Sequence, residues 1–174
     1  MLLTRRFLAR LAALLPLAAC DDGWVAEPMV RLPPGLPPGA TEPRRWAFGE
    51  AAARLLDRPA GLRGAPAETA WAAALVEYLA TAFQDGALPD GRHLTRLLRE
   101  GRTALRLTLG LPVEAPPQAM ADALLAAAGR RAGAVPAPLA SALAGFDPED
   151  ARLAPLRRAL RAVRDALAAQ LLPR

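Results

Sequence analysis

From Arg44 onward, apolar side chains return every three or four residues, the repeat of helices packed on one side. RRWAFGEAAARLLD (44–57) is predicted as a first helix, with Trp46, Phe48, Ala52, Leu55 and Leu56 apolar and Pro59 and Gly61 ending it. Pro66 suits the first turn of a second helix. Trp71, Leu75, Tyr78, Leu79, Ala82 and Phe83 form its apolar face, and DGALPDG (85–91) breaks the chain. HLTRLLREGRTALRLTLG (93–110) is predicted as a third helix, with Leu94, Leu97, Leu98, Leu105 and Leu109 toward one side. Gly101 interrupts its middle at a cost of about 1 kcal/mol relative to alanine. Pro116 and Pro117 open a fourth helix (118–131), and the short apolar piece PAPLASALAGF (136–146) follows. Asp147-Pro148-Glu149-Asp150 reads as an N-cap and acidic first turn, with Pro155 kinking or restarting the last helix. Leu156, Leu160, Val163, Leu167 and Leu171 continue its seam, with Arg157, Arg158, Arg161 and Arg164 on the outer face. No alternating run supports a strand. The prolines at 66, 117 and 138 share no period, which argues against a helical repeat array. The expectation is an all-α fold, a compact bundle of about five helices spanning 44–174.

The chain opens differently. Arg5, Arg6 and Arg10 form a basic head without acids, followed by nine apolar residues from Leu11 to Ala19. That order is the pattern of an export signal, and the run falls short of the roughly 20 residues a membrane span needs. Leu17-Ala18-Ala19-Cys20 resembles the lipobox of bacterial lipoproteins. The resemblance implies that the Cys20 thiol carries a diacylglycerol, that cleavage falls before it, and that its new amine is acylated. Thr4-Arg5-Arg6-Phe7-Leu8 resembles the twin-arginine export motif, with Ala9 where a second bulky apolar residue is usual. Asp21 is similar to the residue that retains enteric lipoproteins at the inner membrane. What the resemblance implies is an envelope address: the membrane as partner through lipid on Cys20, the body in the periplasm, the inner membrane favoured over the outer.

Residues 20–43 join signal and body. Prolines at 28, 33, 34, 37, 38 and 43 forbid a regular helix. PPGLPPG favours an extended segment, and about twenty such residues would lift a domain up to roughly 60 Å off the bilayer. A lipid-anchored spacer is therefore expected, a proline-rich docking motif being the alternative. Trp24 suits either the membrane interface or the body.

Composition narrows the function. Removing residues 1–19 from the 174 leaves 155, enough for one domain. Three of the 22 arginines leave with the signal, so 19 remain against 17 acids, and the charge falls from +5 to +2. Nucleic acid is not an expected partner. Lysine, asparagine and isoleucine are absent, which reads as strong G+C bias and makes arginine the available cation. The chain has one histidine (His93), one serine (Ser141), one tyrosine (Tyr78) and one cysteine. No metalloprotease, redox, hydrolase or phosphate-loop motif appears, and c-type haem attachment is excluded. No cofactor or metal is expected, and the inventory points away from an enzyme. The catalytic alternative would rest on His93 or on carboxylates.

Arg92, Arg96, Arg99, Arg102 and Arg106 fall within an arc of roughly 120° on the third helix, opposite most of its leucines. They are read as a solvated outer face, or as a surface for anionic headgroups or an acidic partner. His93 is read as a capping or surface residue, and Asp85 and Asp90 lack the further acids of a calcium loop. Glu50, Glu68 and Glu77 are a candidate carboxylate group, with Glu77 alternatively holding a buried arginine. Trp71, Tyr78 and Phe83 are core, or else line a ligand cavity. The leading expectation is a non-enzymatic envelope lipoprotein whose bundle engages an envelope protein. The alternative is a periplasmic module binding an anionic lipid or amphiphile.

Overall fold

The computed structural model describes residues 25–170 apart from 38, 40, 41, 86, 87 and 89. Within these the fold is all-α, with six helices: α1 Pro43–Ala52, α2 Pro66–Ala82, α3 Gly91–Thr108, α4 Pro117–Ala127, α5 Ala137–Ala144 and α6 Ala154–Ala169. Helix α2 is the axis. It packs on α4, α1, α3 and α5, while α3 lies most heavily on α6. Every residue from Thr69 to Ala82 is buried. One apolar face was expected here, but α2 is enclosed all round, as a helix with one charge in this span can be.

The ends show local chemistry. Glu42 caps α1, accepting from the Arg44 and Arg45 amides at 3.1 and 2.7 Å. The predicted first helix reaches Asp57 as expected, but its last five residues, Ala53–Asp57, wind as a π turn. That turn brings Asp57 Oδ1 within 2.7 Å of Arg164 on α6. Helix α4 stops at Ala127, four residues earlier than predicted. Gly129 takes a left-handed φ of 66°, and the Arg130 amide donates back to the Leu125 carbonyl at 2.8 Å. The last helix also differs at its start. Asp147 forms a turn, its Oδ1 accepting from the Glu149 amide, and the capping side chain is Asp150, which accepts from the Arg152 amide at 2.8 Å. A 3₁₀ turn, Ala151–Leu153, follows, and Pro155 restarts the chain as α6.

The predicted seams are largely inside. Leu94, Leu98 and Leu105 on α3 and Leu109 just after it are buried, as are Leu156, Leu160 and Val163 on α6. Leu97 and Leu167 are half-buried against them, and Leu171 lies outside the described residues. Gly101 sits where α3 and α6 cross, and a Cβ built there would lie 2.8 Å from the Leu156 Cα. The glycine that weakens α3 as an isolated helix thus allows its backbone to meet α6. Gly101→Ala gains about 1 kcal/mol of helix propensity. Overpacking against backbone costs about 1–3 kcal/mol. The variant should therefore be less stable, melting a few degrees lower by circular dichroism; a raised Tm would show that the crossing yields freely.

Candidate functional site

The segment read as a spacer is not free of the body. Val30 is fully buried in the core, and Leu32 and Leu36 pack against it. Two glutamines hold the segment by its backbone. Gln84, just beyond α2, accepts from the Glu27 amide and donates to the Glu27 carbonyl, both at 2.8 Å. Gln118 on α4 accepts from the Arg31 amide at 2.7 Å and donates to its carbonyl at 3.3 Å. Between them the Val30 amide donates to Thr81 Oγ1 at 3.0 Å. Residues 25–32 therefore form a strap across α3, the end of α2 and the start of α4.

Three arginines of the predicted stripe turn inward, and two of them, Arg99 and Arg102, reach this strap. Residues 99, 102 and 106 follow one another at three and four positions, so they share an edge of α3. Arg106 makes a two-pronged pair with Glu77, Nε to Oε1 and Nη2 to Oε2, both at 2.7 Å and both buried. Its Nη1 donates to the carbonyls of Val113 at 2.6 Å and Ala115 at 2.8 Å, fastening the turn after α3. Arg102 grips Glu27 with Nη1 and Nη2 at 2.6 and 2.9 Å, and its Nε lies 3.9 Å from Glu77. Arg99 donates from Nη1 to the Val25 carbonyl at 2.8 Å and from Nη2 to Gln84 at 2.9 Å, with Nε 3.1 Å from Glu27. Only Arg92 and Arg96 remain exposed. The five-residue outward surface is thus divided: two cations face out, and three are spent on two buried or half-buried carboxylates.

Glu77 is the group that the sequence left between a carboxylate pair and a buried arginine, and its partner is Arg106. Burial pushes its carboxyl above the ordinary range, while the Arg106 hydrogen bond and the charges of Arg106 and Arg102 pull it back. Burial also acts on Glu27. There the hydrogen bond from Arg102 and the charges of Arg102, Arg99 and Arg106 together prevail and hold the carboxyl below its usual value. The signal for Glu27 was its place as the sole acid between Asp22 and Glu42, but nothing in its spacing names arginines more than seventy residues away.

The other candidates lie apart. Glu50 and Glu68 both bind Arg54, at 3.0 and 2.8 Å, and Glu50 also accepts from the Trp71 indole at 3.3 Å. Glu68, with Ala53, Arg54, Arg58, Gly61 and Leu62, lines an open cleft of about 300 Å³. A second open cleft, of about 410 Å³, lies between Phe83, Leu88 and the side chains of Glu42, Arg44, Arg45, Leu167 and Gln170. Trp71, Tyr78 and Phe83 are core: Trp71 stacks edge-on to Trp46 at 5.9 Å and carries Arg130 over its ring at 4.9 Å. His93 is exposed, its Nδ1 3.0 Å from Arg96 Nη2. No cluster of three or more His, Cys, Asp or Glu suited to a metal occurs among the described residues. Cys20, Arg5, Arg6, Leu17, Ala18, Ala19 and Trp24 lie outside the described residues. Comparison with family models, with curated proteins and with solved structures finds no match for this chain.

Two tests follow from the charge network. Glu77→Ala strands Arg106 in the interior and should cost about 3–5 kcal/mol in urea unfolding. Replacing both partners with leucine should recover part of this loss, the remainder reflecting the bereft Val113 and Ala115 carbonyls. For Glu27 the folded pKa lies below the unfolded one, so its contribution is complete above about pH 4.3 and vanishes as pH falls through the folded value. Pepsin should therefore begin to cut between residues 29 and 36 as pH drops below about 4, before it cuts within α2. Simultaneous cleavage of both would show that Glu27 does not govern the strap.

Proposed function

We propose that the chain is an envelope lipoprotein, anchored to a membrane by lipid on Cys20, whose helical body serves interaction rather than catalysis. The observation that carries this reading is the lipobox Leu17-Ala18-Ala19-Cys20, placed after a basic head and an apolar run. Lipid on that cysteine would supply an anchor; no helix among the described residues is long and apolar enough to cross a membrane. Two or more acyl chains hold a protein stably at a bilayer, whereas one is marginal. Export through the twin-arginine route, on Arg5 and Arg6, and retention at the inner membrane, on Asp21, belong to the same reading. The body's partner is an envelope protein.

The alternative is a binding module for an anionic lipid or amphiphile. It draws on Arg92 and Arg96, the stripe's two exposed cations. Arg99, Arg102 and Arg106 are already engaged by Glu27 and Glu77, and Trp71, Tyr78 and Phe83 fill the core, so the anchored interaction domain is the better supported of the two. Expression in an exporting bacterium tests the anchor. The native chain should sediment with membranes and show an intact mass that begins at Cys20 with added diacylglycerol and acyl groups. Cys20→Ala should remain at precursor size without lipid. A native chain recovered unmodified in the periplasm would refute the proposal.

A further inference from the structure

Cys20 and the first point where the helices grip the strap are close in sequence. Arg99 Nη1 holds the Val25 carbonyl at 2.8 Å. Five Cα-to-Cα steps separate Cys20 from Val25, and these span at most about 18 Å whatever path they take. The prolines that would have made a long spacer lie beyond this grip, on the body's side. Glu27, Val30 and Arg31 are fastened before Pro33 is reached.

We propose that the helical body lies directly against the bilayer, held by a short leash, with the N-terminal half of α3 and the entering strap as the face that meets lipid headgroups. This inference rests on lipidation at Cys20. The side chains at that edge fit the role. Val25 is 70% exposed and Met29 54%, two large apolar groups open to the headgroup layer. Arg92 and Arg96 on α3 are exposed cations suited to lipid phosphates. Asp90 and Glu100 are exposed at the same edge, so its charge is nearly balanced and long-range attraction is small. The leash removes the need for such attraction. A tethered face meets its surface at an effective concentration on the order of millimolar, which suffices for a weak contact. An unlipidated chain should then leave anionic vesicles alone.

The test uses the full lipidated chain in phosphatidylethanolamine/phosphatidylglycerol vesicles carrying an acceptor dye on their headgroups. Lipid on Cys20 blocks the native thiol, so an introduced cysteine takes the donor dye alone. Glu100→Cys reports from α3, one residue beyond Arg99. Ala67→Cys reports from the start of α2, about 21 Å along that helix from Thr81, where the strap is held. Both variants should float with the vesicles, with energy transfer from position 100 at least about twofold above that from position 67. Adding Glu27→Ala and Gln84→Ala to the Glu100→Cys chain should lower its transfer while circular dichroism stays helical. Floating chains with equal, weak transfer from both positions would overturn the apposition and leave the anchor standing. A native chain that fails to float and retains a free Cys20 thiol would overturn the anchor, and this inference with it.

Discussion

Glu77 sits on a stretch of helix that has no outside. Each neighbour from Thr69 to Ala82 is buried, so its carboxylate must be matched where it stands. Arg106 matches it with two parallel hydrogen bonds, the arrangement in which a guanidinium binds a carboxylate best. A buried pair of this kind returns little net stability over a well-packed apolar pair, yet it strongly penalises any arrangement that parts its members. It therefore fixes how α3 lies on α2. The same guanidinium holds the Val113 and Ala115 carbonyls and so sets the turn that leads to α4.

The strap depends on that placement. With α3 fixed through Arg106, Arg102 and Arg99 fall at the next turns back along the same edge, where Glu27 lies between them. Two carboxylates serve three guanidiniums, so the removal of either acid leaves cations close together in a partly dry place. Proline helps here in a way that its reputation as a spacer hides. It presents no amide, which lowers the number of donors the body must satisfy along residues 25–36. The amides of Glu27, Val30 and Arg31 are met by Gln84, Thr81 and Gln118. A tether becomes part of the domain, and whatever is attached just before it is brought close to α3.

Much of the body was legible. Prolines at 66, 117 and 155 open helices as expected, because a proline's missing amide costs nothing in a first turn, whereas Pro43, read with the prolines that forbid a helix, opens α1. The leucine seams of α3 and α6 are where a 3.6-residue repeat places them. The inward turn of Arg99, Arg102 and Arg106 was not legible. An arginine's long stem lets it sit at the boundary of either face, so periodicity alone leaves the direction of its head open. What decides the matter is a pair of acids, Glu27 and Glu77, distant in sequence and on different segments. The two glutamines that capture the strap were equally silent, though the chain has only three, at 84, 118 and 170. Spacing reports on one element at a time, and this site is made between elements.

The claim on which the account turns is that residues 25–32 belong to the folded body. Amide hydrogen exchange of the native chain at neutral pH reads this directly. Slow exchange is expected at Glu27, Val30 and Arg31, whose amides are bonded to the body, and fast exchange at Met29, which is exposed. Exchange at free-chain rates across the whole of 25–32, with α2 still protected, would contradict it and restore the segment to a simple spacer.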